Sequence, residues 1–295
     1  MSLRISKATK SFAPLRSEVR GTVDGGIETL IAYLRRGNVV ALTGAGVSTE
    51  SGIPDYRSPE ALAKPRRPIQ GPEFVRSAAL RQRYWARAVV GWETFRRAEP
   101  GPAHTALARL ERAGLVRGIV TQNVDRLHHA AGSANVTELH GALAEVVCLA
   151  CGALFDRDFV QRTMRERNPT WFTATHDVAP DGDAAVPDRA VETFEVAPCA
   201  RCGGDLKPNV VFFGHNVAKP VVDQAFAKVD AASALLVAGT SLTVFSGFRF
   251  LRRATERQIP VLIVNRGPVR GEEHATLKIE GSTGAVLAEA AARFF

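Results

Sequence analysis

The sequence predicts an α/β fold: a Rossmann-like, doubly wound parallel sheet joined to a smaller zinc-binding domain and a helical insertion. Three observations carry this. Short aliphatic runs alternate with amphipathic helical segments; the runs end in small or hydrogen-bonding residues; and the four cysteines fall in two C-x-x-C pairs inside a break in the alternation.

The runs are "NVVALT" (38–43), leading into Gly44-Ala45-Gly46; "VRGIVTQ" (116–122), leading into Asn123-Val124-Asp125; "NVTELH" (135–140), leading into Gly141; "SALLVAGT" (233–240), leading into Ser241; and "PVLIVN" (260–265), leading into Arg266-Gly267. Runs that are apolar throughout suit strands buried on both faces of a parallel sheet. Between them, "GGIETLIAYLRRG" (25–37) puts Ile27, Leu30, Ile31 and Leu34 on one helical face, and "PAHTALARLERAG" (102–114) repeats the pattern with a glycine stop. "KPVVDQAFAKVDAA" (219–232) and "GFRFLRRATERQ" (247–258) continue the alternation. In such folds ligands bind beyond the carboxyl ends of the strands. Here those ends carry TGAG, TQNVD, ELHG, AGTS and VNRG, a set better explained by one shared polar ligand than by five ordinary loops.

Two stretches break the pattern: a proline- and arginine-rich segment (57–101) and the cysteine region (148–206). The expected organisation is a basic N-terminal arm (1–24), a Rossmann-like domain from 25–147 and 207–295 that includes a loop and helical insertion at 57–101, and a small zinc domain over 148–206.

The formal net charge of +8 comes mostly from arginine. A basic surface attracts anions, but no DNA- or RNA-binding motif accompanies it, and no specific nucleic-acid partner is expected. No apolar run is long enough to cross a bilayer, and no secretory core follows the start methionine. Arg4, Lys7, Lys10, Arg16 and Arg20 precede or flank a single acid, Glu18. We read this as a frayed basic arm on a cytoplasmic protein, with a mitochondrial presequence as the alternative. A monomer is the expected state. Cys148, Cys151, Cys199 and Cys202 read as zinc ligands rather than disulfides. Four thiolates close a tetrahedral site and leave no position for water, so the metal is structural. The 47 residues between the pairs exceed a simple ribbon, and Asp177, Asp181, Asp183 and Asp188 make that insert acidic, against a nucleic-acid-binding finger.

A strand followed by G-x-G suggests phosphate approaching backbone N–H groups. The usual dinucleotide fingerprint needs a third glycine, and Thr49 stands there; the ribose-binding acid is missing as well. A plain hydride-transferring dehydrogenase is therefore disfavoured.

The second polar cluster makes the match specific. "GAGVSTESGIPDYRS", "TQNVDRLHHAAG", "ELHG", "CLAC…CARC", "KPNVVFFG", "AGTSLTV" and "VNRGP" occur in the order seen in sirtuins, the NAD-dependent protein deacylases, and the resemblance covers the chain from about Gly25 to its end. "RPIQGPEFVRSAALRQRYWARAVVGW", "NPTW", "APDGD" and "GPVRGEEHATLKI" resemble the class II branch, which includes the mitochondrial lipoamidase and ADP-ribosyltransferase type of animals and its bacterial relatives.

The resemblance implies NAD as co-substrate, one structural zinc and acylated-lysine proteins as substrates. Gly44, Ala45 and Gly46 would line the diphosphate, and "ESGIPDYR" would be the cofactor loop. Ser48, Ile53, Pro54, Asp55, Gln122, Asn123 and Asp125 would surround the nicotinamide end, with Asn123 also orienting ribose or a water. Tyr56 stands where most sirtuins carry phenylalanine, and Arg57 would reach toward cofactor charge. Gly239, Thr240 and Ser241, then Asn265, Arg266 and Gly267, would hold the adenosine half, and Thr283 would close over the adenine. Val210, Val211, Phe212 and Gly214 would bind the acyl-lysine segment by strand addition. His215 departs from the acid usual after FFG.

His140 is the expected catalytic base. It ends a strand at the ligand face, and a neutral imidazole accepts a proton at working pH. His128 and His129 are expected to pack or face solvent, and His104 to be structural. The implied chemistry has two stages: the acyl-lysine oxygen displaces nicotinamide at the ribose, then His140 deprotonates a ribose hydroxyl and water completes release of lysine and O-acyl-ADP-ribose. Water must be excluded from the first stage. A mono-ADP-ribosyltransferase or NAD glycohydrolase, and a non-catalytic NAD sensor, are the rival readings. Tyr84 and Arg87 have the Tyr-x-x-Arg spacing that grips an acyl carboxylate in desuccinylating sirtuins; equally, the helix can pack Tyr84 and Trp85 and leave its arginines solvated.

Overall fold

In the computed structural model the described residues are 23–56, 68–169, 184, 186 and 191–295. The N-terminal arm, Arg57 and Asp177, Asp181, Asp183 and Asp188 of the polar insert lie outside them.

Parallel pairing is set by β1 (Val39–Thr43), which lies between β2 (Val116–Thr121) and β7 (Ala234–Ala238) with Thr43 level with Thr121 and Ala238. After the short helix α5 (Leu127–Ala130), β3 (Val136–Glu138) extends the sheet beyond β2, and β8 (Val261–Asn265) and β9 (Leu277–Glu280) extend it beyond β7, giving the order β3-β2-β1-β7-β8-β9. The chain reverses direction of winding between β1 and β7, so the switch-point crevice opens at TGAG and AGTS. β1, β7 and β8 are buried along their whole length, as their unbroken apolar runs require. β9 was not expected. It is an edge strand whose Leu277 and Ile279 are buried while Glu280 is exposed, so its sequence alternates instead of running apolar.

Two apolar layers cover the sheet. On one face α1 (Val23–Arg35), α4 (Pro102–Arg112) and α9 (Thr283–Ala292) bury Leu30, Ile31, Leu34, Leu107 and Leu287. On the other, α7 (Lys219–Asp230) and α8 (Phe245–Glu256) bury Val229, Phe250 and Leu251. Each such side chain contributes about 1.5–3 kcal/mol relative to an exposed one.

A second, antiparallel sheet of order β5-β4-β6 is built from β4 (Gly141–Cys148), β5 (Leu154–Asp156) and β6 (Leu206–Val210), with α6 (Arg157–Arg167) beside it. Its outer limits, 141 and 210, lie beyond the 148–206 span expected for the small domain. The helical insertion, α2 (Gly71–Arg76) and α3 (Ala78–Arg97), was expected to belong with the large domain. It shares its core with the small sheet instead: Phe74, Tyr84, Trp85 and Val89 pack with Val146, Cys148, Met164, Cys199 and Leu206. Trp85 Nε1 donates to the Leu206 carbonyl at 3.0 Å, satisfying the ring's only polar group.

Candidate active site

Beyond β1 the chain makes two short 3₁₀ turns, Ala45–Val47 and Thr49–Ser51, in place of a full helix. Glycine is needed here for close approach between loops. A Cβ at Gly46 would lie 2.8 Å from the Gly239 carbonyl oxygen, to which Gly46 N–H donates. Gly239 has φ +61°, and a Cβ there would meet Val47 N at 2.5 Å. The TGAG and AGTS loops are thereby pressed into one continuous surface at the switch point. Thr240 accepts from Gln122 Nε2 (2.9 Å) and from Leu242 N–H (3.2 Å), and Ser241 Oγ lies 3.0 Å from Thr243 Oγ1. Asn265 is buried and turns its amide onto the carbonyls of Arg266 (2.7 Å) and Gly267 (3.2 Å), shaping the VNRG loop. Thr283 opens α9, and its neighbour Ser282 donates to Glu50 Oε1 at 2.6 Å. Glu50 therefore ties the cofactor loop to the positive end of α9, a link the sequence did not signal.

Behind this surface lies a buried polar network with defined donors. The Gly101 N–H donates to His104 Nδ1 (3.1 Å), so the His104 proton sits on Nε2, 3.4 Å from Ser48 Oγ. Asn123 Nδ2 donates to Ser48 Oγ (3.0 Å) and to the Gly44 carbonyl (3.1 Å). Ser48 in turn donates to Asp125 Oδ2 (2.7 Å), whose Oδ1 accepts from Leu127 N–H (2.9 Å). His128 Nε2 lies 2.9 Å from Thr43 Oγ1, and its ring stands edge-on to His104 at 4.8 Å. The structure thus brings Ser48, Asn123 and Asp125 together, and it gives His104 and His128 a role in holding them. Ile53 is buried with Phe95, Leu127 and Leu143, anchoring the loop, while Pro54 and Tyr56 are exposed and Asp55 is half-buried.

Burial pushes His104 below the ordinary histidine value against the opposing fields of Asp125 and Glu50. Burial pushes His128 well below it, reinforced by His104 and His129. Both groups have folded pKa values below the unfolded 6.5, so their contribution to stability is complete above that pH and is lost as pH falls. Glu138, raised by burial to about 6, acts in the opposite sense between its ordinary value and 6. Four histidines, His104, His128, His129 and His140, are lowered and one carboxylate, Glu138, is raised, so the balance on acidification is a loss. The melting temperature should therefore fall on acidification from pH 7 to 5 and fall less in His128→Gln; a flat profile would remove the network from the account of stability.

His140 is half-buried at the end of the β3 segment. Its Nδ1 is 2.7 Å from the Gln122 carbonyl. A carbonyl only accepts, so Nδ1 carries the proton and the Nε2 lone pair is the basic one. Nε2 lies 2.8 Å from Ser246 Oγ in the first turn of α8. Burial lowers the ring's pKa, the Gln122 bond opposes this and the Arg249 charge adds to it. The next residue, Gly141, has φ +74°, and a Cβ there would sit 2.0 Å from the Asn209 carbonyl oxygen. Only glycine lets β4 leave the base so close to β6.

Across the crevice, Val210 is level with Gly141, and Val211 N–H donates to the His140 carbonyl at 2.9 Å. Lys207 is buried; its ammonium donates to the carbonyls of Pro208 (3.0 Å) and Val210 (2.5 Å) and lies 5.0 Å from the Phe212 ring centre. Burial brings it down to about 8. Tyr84 stands edge-on to Phe212 at 5.6 Å and to Phe74 at 5.5 Å, which places its ring in the small domain's aromatic cluster. Gly214 and His215 are exposed, and the His215 ring fills the space over Gly71, where a Cβ would meet it at 2.4 Å.

The four cysteines converge as expected. Cys148 and Cys202 Sγ are 3.5 Å apart, Cys151 and Cys199 Sγ 3.9 Å, and all four lie within 4.8 Å of one another. Tetrahedral zinc with arms of ~2.3 Å requires sulfur–sulfur edges of about 3.8 Å. The donor set fits. Gly152 (φ +68°) and Gly203 (φ +76°) turn the two knuckles, and backbone N–H groups of Cys151 and Arg201 point at Cys148 and Cys199 sulfur. For a dinucleotide, the hydroxyl and loop groups at the ends of β1, β7 and β8 and at the start of α9 form a matching polar set along the crevice.

A model of the Sir2 family matches residues 44–246. The bovine (Bos taurus) NAD-dependent protein lipoamidase sirtuin-4, mitochondrial, is 49% identical over 252 residues, covering 84% of this chain and 80% of that protein. NAD-dependent protein deacetylase 1 of Mycobacterium avium is 48% identical, covering 88% and 92%. Among solved structures, one described as "Sir2-p53 peptide-NAD+" superposes with a TM-score of 0.71 at 28% identity, over 90% of this chain and 96% of that one.

Proposed function

The chain belongs to the Sir2 family, and we infer that it is an NAD-dependent protein-lysine deacylase releasing nicotinamide and O-acyl-ADP-ribose. The observation that carries the reading is His140: a neutral imidazole with its proton held on Nδ1 by the Gln122 carbonyl and its Nε2 lone pair at the crevice. When bound, NAD supplies an electrophilic ribose carbon with nicotinamide as the leaving group. The protein's own part is to orient, exclude water and move one proton.

Asn123 and Asp125, locked through Ser48, present fixed polar groups to the nicotinamide end. The loop that Ile53 anchors closes that end against water, with Tyr56 as its aromatic shield. Gly44, Ala45 and Gly46 hold the diphosphate, and Gly239, Thr240 and Ser241 with Asn265, Arg266, Gly267 and Thr283 hold the adenosine half. Val210, Val211 and Phe212 pair with an extended acyl-lysine segment beside His140, which accepts a ribose hydroxyl proton at Nε2. The cysteine cluster holds structural zinc, and four metal-bound thiolates suit a reducing compartment. That supports the cytoplasm, with the mitochondrial matrix as the alternative in view of relatives named as mitochondrial.

The test is a panel of lysine peptides (acetyl, succinyl, glutaryl, lipoyl and long-chain) incubated with NAD and read by mass spectrometry. Peptide-dependent O-acyl-ADP-ribose is expected. Nicotinamide release that is equal with and without peptide would overturn deacylation in favour of NAD hydrolysis.

A further inference from the structure

The hydroxyl of Ser246 sits on the one atom of His140 that the proposed reaction needs. Nδ1 is committed to the Gln122 carbonyl at 2.7 Å, so Nε2 has a lone pair and no proton. Ser246 Oγ lies 2.8 Å from Nε2 and must therefore be the donor. The imidazole is thus held at both nitrogens, by a backbone carbonyl on one side and a hydroxyl on the other. The backbone keeps both partners in place. A Cβ at Gly247 would lie 2.4 Å from Gln122 Oε1, so the first turn of α8 rests directly against Gln122. The same glutamine side chain donates to Thr240 Oγ1 at 2.9 Å and to the Thr43 carbonyl at 3.3 Å, linking α8, β2, β1 and the AGTS loop. Ser246 is half-buried and its hydroxyl turns about a single bond, so it can leave Nε2 without any backbone movement.

We propose that Ser246 is a positioning residue for the catalytic base: in the free enzyme its hydroxyl fills the Nε2 lone pair and fixes the ring, and it yields that place to a ribose hydroxyl of the co-substrate. The inference rests on the reading of His140 as the base. A donor on Nε2 favours the neutral ring, because protonation at that atom would break the bond. It acts in the same direction as burial and as the charge of Arg249 on α8, the charged side chain whose field acts on His140.

The test uses ligand-free protein first. With imidazole-labelled histidine, ¹⁵N NMR should report an Nδ1-protonated, Nε2-accepting ring for His140 in the wild type, assigned by its loss in His140→Gln. In Ser246→Ala the Nε2 resonance should move as the donor is lost, and the His140 pKa should rise toward the ordinary histidine value. Ser246→Thr, which keeps the hydroxyl, should resemble the wild type. In turnover, the acid limb of the kcat/KM profile for NAD should move to higher pH in Ser246→Ala, following the risen pKa of the free enzyme, with recovery in Ser246→Thr; kcat on the alkaline plateau should change little, because Ser246 has left Nε2 in the complex. Ser246→Cys, which keeps the volume with a weak donor, serves if the alanine variant is unstable. An Nε2 resonance and titration unchanged in Ser246→Ala would overturn the proposal whatever the kinetics show. A shifted resonance with an unmoved kcat/KM profile would overturn its positioning role, whereas failure of His140 as the base would instead appear as deacylation surviving in His140→Ala.

Discussion

Replacing His140 by alanine should abolish deacylation, lowering kcat/KM by about 10²- to 10⁴-fold, while NAD binding largely survives. The range is that of a positioned general base. The separation of the two effects follows from placement: the ring bonds to the Gln122 carbonyl and to Ser246, and neither bond is part of the TGAG or AGTS loops proposed to hold the dinucleotide. The fold should tolerate the change. His140 is half-buried, so water can reach the Gln122 carbonyl that the ring leaves behind. Two measurements check this: NAD affinity by calorimetry, and O-acyl-ADP-ribose formation from an acetyl-lysine peptide. Deacylation that persists in the variant would refute the assignment of the base. A parallel loss of NAD binding would mean that the ring supports the crevice rather than the chemistry.

The parallel sheet was legible because strands buried on both faces must be apolar throughout, and β1, β7 and β8 are. The strand ends were legible for a related reason: small and polar residues directly after a fully buried strand have few structural explanations. What escaped was whatever depended on a one-sided or long-range contact. The edge strand β9 alternates. β4 has no single period, since its burial changes as it passes from the crevice to the cysteines. The membership of the helical insertion could not be read from its own residues; Tyr84 and Trp85 announce a buried face but not that the face meets Leu206 and Cys148. At the site, His104 and His128 looked merely structural. Their link to Ser48 and Thr43 joins residues 56 and 85 positions apart, and no local pattern encodes such a pair. Ser246 left no signal either, because a serine in the first turn of a helix is commonplace. Only its distance to His140 sets it apart.

Removing zinc should melt the small sheet and the helical insertion together while the six-stranded sheet persists. The two cysteine pairs are separated by 47 residues (152–198), and zinc held by their four sulfurs would be the bond that closes them. Structural zinc on thiolates contributes roughly 10–16 kcal/mol of apparent binding free energy at neutral pH, comparable to the whole stability of a typical domain at about 5–15 kcal/mol. The apolar core around it cannot replace that contribution, since Cys148 and Cys199 are themselves buried members of the cluster with Trp85, Val146 and Leu206. No strand of the parallel sheet passes through this cluster, so the loss should be local. It should still end activity, because β4 starts at the residue after His140 and β6 carries Val210 into the crevice. Cys199→Ser should accordingly split thermal unfolding into two transitions, the first lower by about 10 °C or more than the wild-type midpoint. Chelator treatment should produce a partial loss of far-ultraviolet circular dichroism together with complete loss of deacylation, and zinc added back in stoichiometric amount should restore both. A protein shown by elemental analysis to be free of zinc, folded and fully active would overturn the structural role of the metal, and with it the account of how β6 is held beside His140.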